Sequence, residues 1–248
     1  MKGEIEFDHV SFAYPEAGEN VLTDISFTAK KGQTIAVIGS TGSGKSTLIN
    51  LIPRYYDVTK GSVKVDGVDV RDMTQKELRD KLGYVPQKGV LFSGTIDSNI
   101  RYGKPEITDA QVKEAAEVAQ ATEFIDTKPE KYKSPVSQGG TNVSGGQKQR
   151  LSIARAIAKD PEIFIFDDSF SALDFKTDSQ LRKALKEYTK DATTVIVAQR
   201  ISTILGADQI IVLDDGHMAG IGTHKELMAN CEVYQQIARS QLSEEELA

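Results

Sequence analysis

Gly39, Ser40, Thr41, Gly42, Ser43, Gly44, Lys45, Ser46 and Thr47 follow one another without a break and fit the pattern G-x-x-x-x-G-K-[ST]. Glycines at these places let backbone N–H groups turn inward around phosphate oxygens, and the positive end of a following helix adds to the attraction. In that arrangement Lys45 reaches the β- and γ-phosphates of a nucleotide, and the Ser46 hydroxyl is a ligand for Mg²⁺. Further on, Pro161–Asp168 is an apolar run closed by the carboxylates of Asp167 and Asp168. An aspartate at such a strand end, here Asp167, supports the metal that a phosphate loop presents. Val143–Gln147 is another glycine-rich helix start, and a helix beginning at Ser144, Gly145 and Gly146 also suits an anion. A monomeric phosphate-cleaving enzyme needs one such segment, and this chain has both.

These groups need elements to hold them. Gln33–Ile38 is apolar and β-branched, as a buried parallel strand should be. Ser46–Ile52 reads as a helix stopped by Pro53. Residues 4–35 alternate apolar and polar side chains, which predicts antiparallel strands. Ser62–Val70 reads as a hairpin turning at Asp66-Gly67. Capping boxes at Thr74/Glu77 and Thr108/Gln111 open two helices, the second expected to run through Ala121. Residues 90–158 are mostly helical by pattern, with no convincing long strand. Beyond them, strands at Glu162–Asp167, Thr193–Ala198 and Gln209–Leu213 alternate with a helix near Thr177–Thr189. The expected class is α/β, with an inserted helical region and an antiparallel β flank.

Bulk properties fit an ordinary globular chain. It has 248 residues, 39% of them hydrophobic and 27% charged. A net charge of −6 argues against a protein that binds nucleic acid through bulk charge. Cys231 is the single cysteine, so an intrachain disulfide is excluded and a reducing cytosol fits. No apolar run reaches the ~20 residues of a membrane helix, and no signal peptide is evident. Asn142-Val-Ser144 fits a glycosylation acceptor, but nothing else points to secretion.

With these pieces in order, the chain resembles the nucleotide-binding domain of an ATP-binding cassette (ABC) transporter over nearly its whole length. Ser144-Gly-Gly-Gln-Lys-Gln-Arg150 resembles the ABC signature, with Ser144, Gly145, Gly146 and Gln147 as its nucleotide-facing part. Gln87, in Tyr84-Val-Pro-Gln87, falls where the family has the glutamine that approaches Mg²⁺ and senses the membrane domains. Tyr14 matches the aromatic that stacks on adenine, and Ser171-Ala-Leu-Asp174 matches the D-loop, which lies across a dimer interface. The resemblance implies a P-loop NTPase fold with a RecA-like core, an antiparallel β flank and an inserted α-helical subdomain. The chain is then one domain: 1–86 and 159–248 form flank and core, and 87–158 form the helical subdomain with the signature. It also implies that ATP and Mg²⁺ lie between the phosphate loop of one domain and the signature of a second. Leu91–Ile96 and Ile221–Leu227 resemble the exporter branch, whose nucleotide domains are normally fused behind a membrane-spanning region. The chain opens at Met-Lys-Gly before its first strand, so it is expected to be an excised domain, with a naturally free subunit as the alternative, that works at the cytoplasmic face of a membrane, coupled to transmembrane domains.

Two positions depart from the family pattern. A hydrolytically competent domain carries glutamate after the metal-supporting aspartate, where it polarises the attacking water; here Asp168 stands one methylene further back. The switch segment usually centres on histidine, but Val195–Ser202 has Gln199, whose amide hydrogen-bonds yet carries no positive charge. Heterodimeric exporters whose one site is degenerate resemble this chain in having Asp and Gln at these two positions together. Gln138-Gly-Gly140 also departs from the acidic segment common in exporters, which weakens the case for coupling through that loop. The reading is therefore an ATP-binding half with weak hydrolysis of its own and an intact signature that completes a non-identical partner's site. The alternatives are an ATPase subunit fully active at its own loop, or a soluble ABC protein acting outside transport. Acidic charge and the exporter-like segments disfavour the latter.

Overall fold

The computed structural model describes residues 2–247. In chain order it has β1 (Ile5–Phe12), β2 (Leu22–Ala29), β3 (Thr34–Gly39), α1 (Lys45–Asn50), β4 (Lys60–Val65), β5 (Val68–Asp69), α2 (Gln75–Asp80) and β6 (Leu82–Val85). There follow β7 (Gly94–Thr95), α3 (Ile96–Ile100), α4 (Asp109–Val118), α5 (Thr122–Asp126), β8 (Pro135–Val136), α6 (Gly145–Ala158), β9 (Ile163–Asp167) and α7 (Phe175–Tyr188). The chain ends with β10 (Thr193–Val197), β11 (Gln209–Asp214), β12 (His217–Gly222), α8 (His224–Asn230), α9 (Glu232–Gln241) and α10 (Glu244–Leu247). These elements divide between two compact units, one running to Leu82 and resuming at Ala192, the other spanning Gly83–Asp191.

The first unit has two sheets. In one, the antiparallel strands run in the order β2-β1-β4-β5. Asp66 and Gly67 both take positive φ (53° and 81°), the geometry a type I′ hairpin turn requires, so Val65 pairs with Val68. In the other sheet, β3 lies between β10 and β11 and parallel to both, with β12 antiparallel at the edge. Ile35, Ala36, Val37 and Ile38 of β3 are all buried, because a strand covered on both faces cannot alternate. Helix α9 packs Tyr234 and Ala238, both at 0% exposure, into a core with Ile201, Ile204, Ile210 and Leu227.

In the second unit β9 lies beside β6, and α6 packs against α3 and α4. Leu151, Ile153 and Ile157 of α6 are fully buried, worth roughly 1.5–3 kcal/mol each. Helix α4 ends at Val118, three residues short of the expected Ala121. Gln120 turns left-handed (φ 59°), and the Ala121 and Gln120 amides close back on the Ala116 and Glu117 carbonyls. That is the Schellman arrangement, formed here without glycine. Strand β12 and helices α8 to α10, for which the pattern gave no expectation, complete the fold of the first unit.

Candidate functional site

The phosphate loop leaves the end of β3 at Gly39. A Cβ there would stand 2.4 Å from the Leu213 carbonyl oxygen, so a side chain is excluded by backbone. Gly42 (φ 78°) and Gly44 (φ 102°) turn left-handed on either side of Ser43, which makes a concave nest of backbone amides. The Lys45 ammonium donates to the carbonyls of Gly39 (2.7 Å) and Ser40 (2.9 Å) and so lies across this nest. Thr41 and Gly42 are exposed, as is Ser46, while Thr47 points inward and shares a hydrogen bond of 2.8 Å with the Tyr14 hydroxyl. Tyr14 is half-buried, edge-on to both Phe12 and Tyr56. Behind the loop, the Gly216 amide donates to the Ser43 carbonyl and the Gly216 carbonyl accepts from Thr23. The Ser43 hydroxyl is buried with no hydrogen-bond partner among the described residues.

This donor set fits a nucleotide's phosphates. It offers convergent amides, a lysine held at the mouth and a hydroxyl at Ser46. Among the described residues no group of three or more His, Cys, Asp and Glu side chains is placed to hold a metal. Mg²⁺ is commonly held by one or two protein groups plus phosphate oxygens, and the exposed Ser46 hydroxyl beside the nest is a group of the kind it takes.

In the same unit Gln199 lies exposed on the loop after β10. Its backbone carbonyl accepts from Gln241 Nε2 (2.7 Å), while Gln241 Oε1 accepts from the Ile201 amide (2.8 Å).

The second unit holds the acidic and signature groups. Asp167 ends β9 with the Tyr84 hydroxyl 3.5 Å from its carboxylate. Asp168 follows in a left-handed conformation (φ 48°), and Gln87 Nε2 donates to its carboxylate at 3.3 Å. Gln87 and Asp168, distant in sequence, are therefore brought together. Ser169 is fully buried and donates to the Val85 carbonyl at 2.7 Å, which pins the turn beyond β9 to β6.

Ser144 caps α6: its hydroxyl accepts from the Gln147 amide (3.1 Å), and Gln147 Oε1 accepts from the Ser144 amide (3.2 Å). A Cβ on Gly145 would meet nothing within 4 Å, so the cap presents an open face. Gly146 lies nearer Ala172 and Leu173 of the D-loop segment. Asp174 caps α7 by accepting from the Thr177 amide (2.8 Å) and hydroxyl, and these bonds hold its carboxyl below the usual range.

Arg155 of α6 escaped the sequence reading, and Gln149 and Arg150 were read only as part of the Ser144–Arg150 segment, without their structural partners. Gln149 donates to the Pro86 carbonyl at 3.0 Å, next to Gln87. Arg150 donates to the Gln120 carbonyl (2.9 Å) and lies over the Phe124 ring. Arg155 donates to the Asn99 carbonyl (2.8 Å), the Val90 carbonyl (2.8 Å) and Asn99 Oδ1 (3.0 Å), beneath the stacked rings of Phe92 and Tyr102. Burial pushes its guanidinium down to about 10, which leaves it charged at neutral pH. An arginine among Ile153, Ala154, Ala156 and Ile157 was the one available signal.

The comparisons with known proteins agree with this geometry. The sequence profile described as ABC transporter matches residues 22–171. An uncharacterized ABC transporter ATP-binding protein of Mycobacterium tuberculosis is 49% identical over 244 residues, covering 97% of this chain and 42% of that protein. A putative multidrug export ATP-binding/permease protein of Staphylococcus aureus is 47% identical over 236 residues, covering 95% of this chain and 41% of that protein. The solved structure of a bacterial Atm1-family ABC exporter with ATP bound superimposes with a TM-score of 0.93 at 38% identity, covering 98% of this chain and 43% of that one. The chain thus spans well under half the length of these relatives. Among the described residues no helix is long and apolar enough to cross a membrane. On sequence and fold together, this chain belongs to the ABC transporter family and has the mixed α/β P-loop fold of its nucleotide-binding domain.

Proposed function

We propose that this chain is the ATP-binding domain of an ABC exporter, working at the cytoplasmic face of the membrane and paired with a second, non-identical nucleotide-binding domain. Gly39–Thr47 would hold the phosphates of Mg-ATP, Ser46, Gln87 and Asp167 would serve the metal, and Tyr14 would stack on adenine. Residues 87–158 would act as the helical subdomain that presents the signature. Ser144, Gly145, Gly146 and Gln147, with Asp174 nearby, would complete the partner's site, and coupling to transmembrane domains would turn ATP-driven association into export.

The observation that carries the unequal division of labour is the pair Asp168 and Gln199 beside an intact phosphate loop. The Asp168 carboxylate is engaged by Gln87, and Gln199 supplies an amide where a charged imidazole would aid proton and charge transfer. Nucleotide is thus bound far better than it is hydrolysed. The purified chain is expected to bind Mg-ATP saturably while turning it over well below the ~1 s⁻¹ at the low end of typical enzymes. Turnover at ordinary enzymatic rates by the unmodified chain would sink this reading.

Lys45→Ala isolates the binding step. Removing a charge-assisted contact to phosphate should weaken Mg-ATP about tenfold to a hundredfold, measured by equilibrium titration. An unchanged affinity would exclude Lys45 from the phosphate site.

A further inference from the structure

Gln241, the last residue of α9, forms a two-pronged bond to the loop after β10. Its Nε2 donates to the Gln199 carbonyl (2.7 Å) and its Oε1 accepts from the Ile201 amide (2.8 Å). The orientation of the amide is dictated by its partners, since a carbonyl only accepts and a backbone N–H only donates. The 3₁₀ turn Ile201–Thr203 begins after Arg200 with no side-chain cap from within the segment, and Gln241 supplies that cap from forty residues away. Helix α9 is a firm base for it. Tyr234 is fully buried in the core, its hydroxyl 2.5 Å from His224 Nδ1, and Ile201 itself is fully buried against the same cluster.

We propose that Gln241 is a positioning residue for the nucleotide-sensing segment, setting the backbone from which Gln199 projects, so that the C-terminal helix contributes to discrimination between ATP and ADP. This rests on the reading of Gln199 as a γ-phosphate contact. Gln241 itself touches neither nucleotide nor metal in this scheme. It acts by narrowing the range of backbone conformations open to residues 199–201. Met at 241 keeps the length of the side chain and its packing while removing both hydrogen bonds.

The test uses the whole chain in three forms: Gln241→Met, Gln241→Glu and Gln199→Ala. Amide hydrogen exchange reads the fork directly, and equilibrium titration reads the ratio of ATP to ADP affinity. In Gln241→Met, exchange at Ile201 should rise about threefold to tenfold, as expected for one lost hydrogen bond. The ATP-to-ADP ratio should fall by a similar factor with ADP affinity unchanged, because ADP offers no γ-phosphate. Gln241→Glu can still accept from Ile201 but repels the Gln199 carbonyl, so its exchange should stay near wild type while its ratio falls. That split is one that simple loosening of the helix would not give.

If Ile201 exchange does not change in Gln241→Met, the fork is absent and the inference is overturned. If exchange rises and the ratio holds while Gln199→Ala lowers it, positioning by Gln241 is overturned although Gln199 keeps its role. If Gln199→Ala leaves the ratio unchanged, the reading of Gln199 has failed and the coupling falls with it, whatever the exchange data say of the fork.

Discussion

Combining Asp168→Glu with Gln199→His should raise the chain's Mg-ATP turnover by about 10²- to 10⁴-fold, the usual contribution of a positioned acid–base group. The first change moves a carboxylate forward by one methylene, toward a water in line with the γ-phosphate. The second provides a side chain that can bear positive charge as charge builds on the phosphate. Each alone should give less than the pair, because the two groups serve the same step and their effects do not add. The Asp168 backbone sets a modest counter-term. Its φ of 48° lies in the left-handed region, where aspartate is tolerated better than glutamate, so the variant should lose up to about 1 kcal/mol of stability. Steady-state phosphate release decides the matter. A doubly substituted chain that binds Mg-ATP normally and turns over no faster would show that these two positions are not what limits hydrolysis.

Arg155→Met should cost about 1–3 kcal/mol of folding stability. The guanidinium of Arg155 satisfies the carbonyls of Val90 and Asn99 and the Asn99 side chain at once. Methionine fills much of the same volume but removes three hydrogen bonds. The exposed Val90 carbonyl can turn to water and Asn99 Oδ1 keeps the Phe92 amide, so the loss falls mainly on the part-buried Asn99 carbonyl, at about 1–3 kcal/mol. Asn99 magnifies the loss, since it also bonds the Phe92 amide at 2.8 Å and carbonyl at 2.9 Å and so shapes the exporter-like segment. Arg155→Lys keeps the charge without the planar fork and should fall between. Urea unfolding followed by circular dichroism measures both, and a shift below 0.5 kcal/mol for Arg155→Met would mean the segment is held by other contacts.

Much of this architecture could be read from residues because local rules and tertiary demands agreed. Asp66-Gly67 made a hairpin turn, Thr74 and Thr108 opened helices through capping boxes, and the apolar stretch before Gly39 became a central parallel strand. The phosphate loop and signature were legible for the same reason: their chemistry is local and contiguous. What stayed hidden was of two kinds. Strand β12 carries glycines where side chains would signal a strand, and Gly220 and Gly222 leave room for Cys231 and Glu226 instead. Helix α7 begins at Phe175 rather than near Thr177, because Asp174 serves as its cap besides matching the D-loop. The supports contributed by Gln149, Arg155 and Gln241 depend on partners tens of residues away. No periodicity in the sequence encodes such pairings.

The turn at Gly216 holds the phosphate loop from behind, bonding Ser43 on one side and Thr23 on the other. Fixing a flexible backbone residue costs roughly 1–2 kcal/mol, and a loop tethered in this way leaves little of that cost to be met when nucleotide arrives. Capture should then follow the rate of encounter rather than wait on rearrangement of the loop. Preferences among nucleotides should accordingly appear in how long each one stays, with similar association rates and divergent residence times.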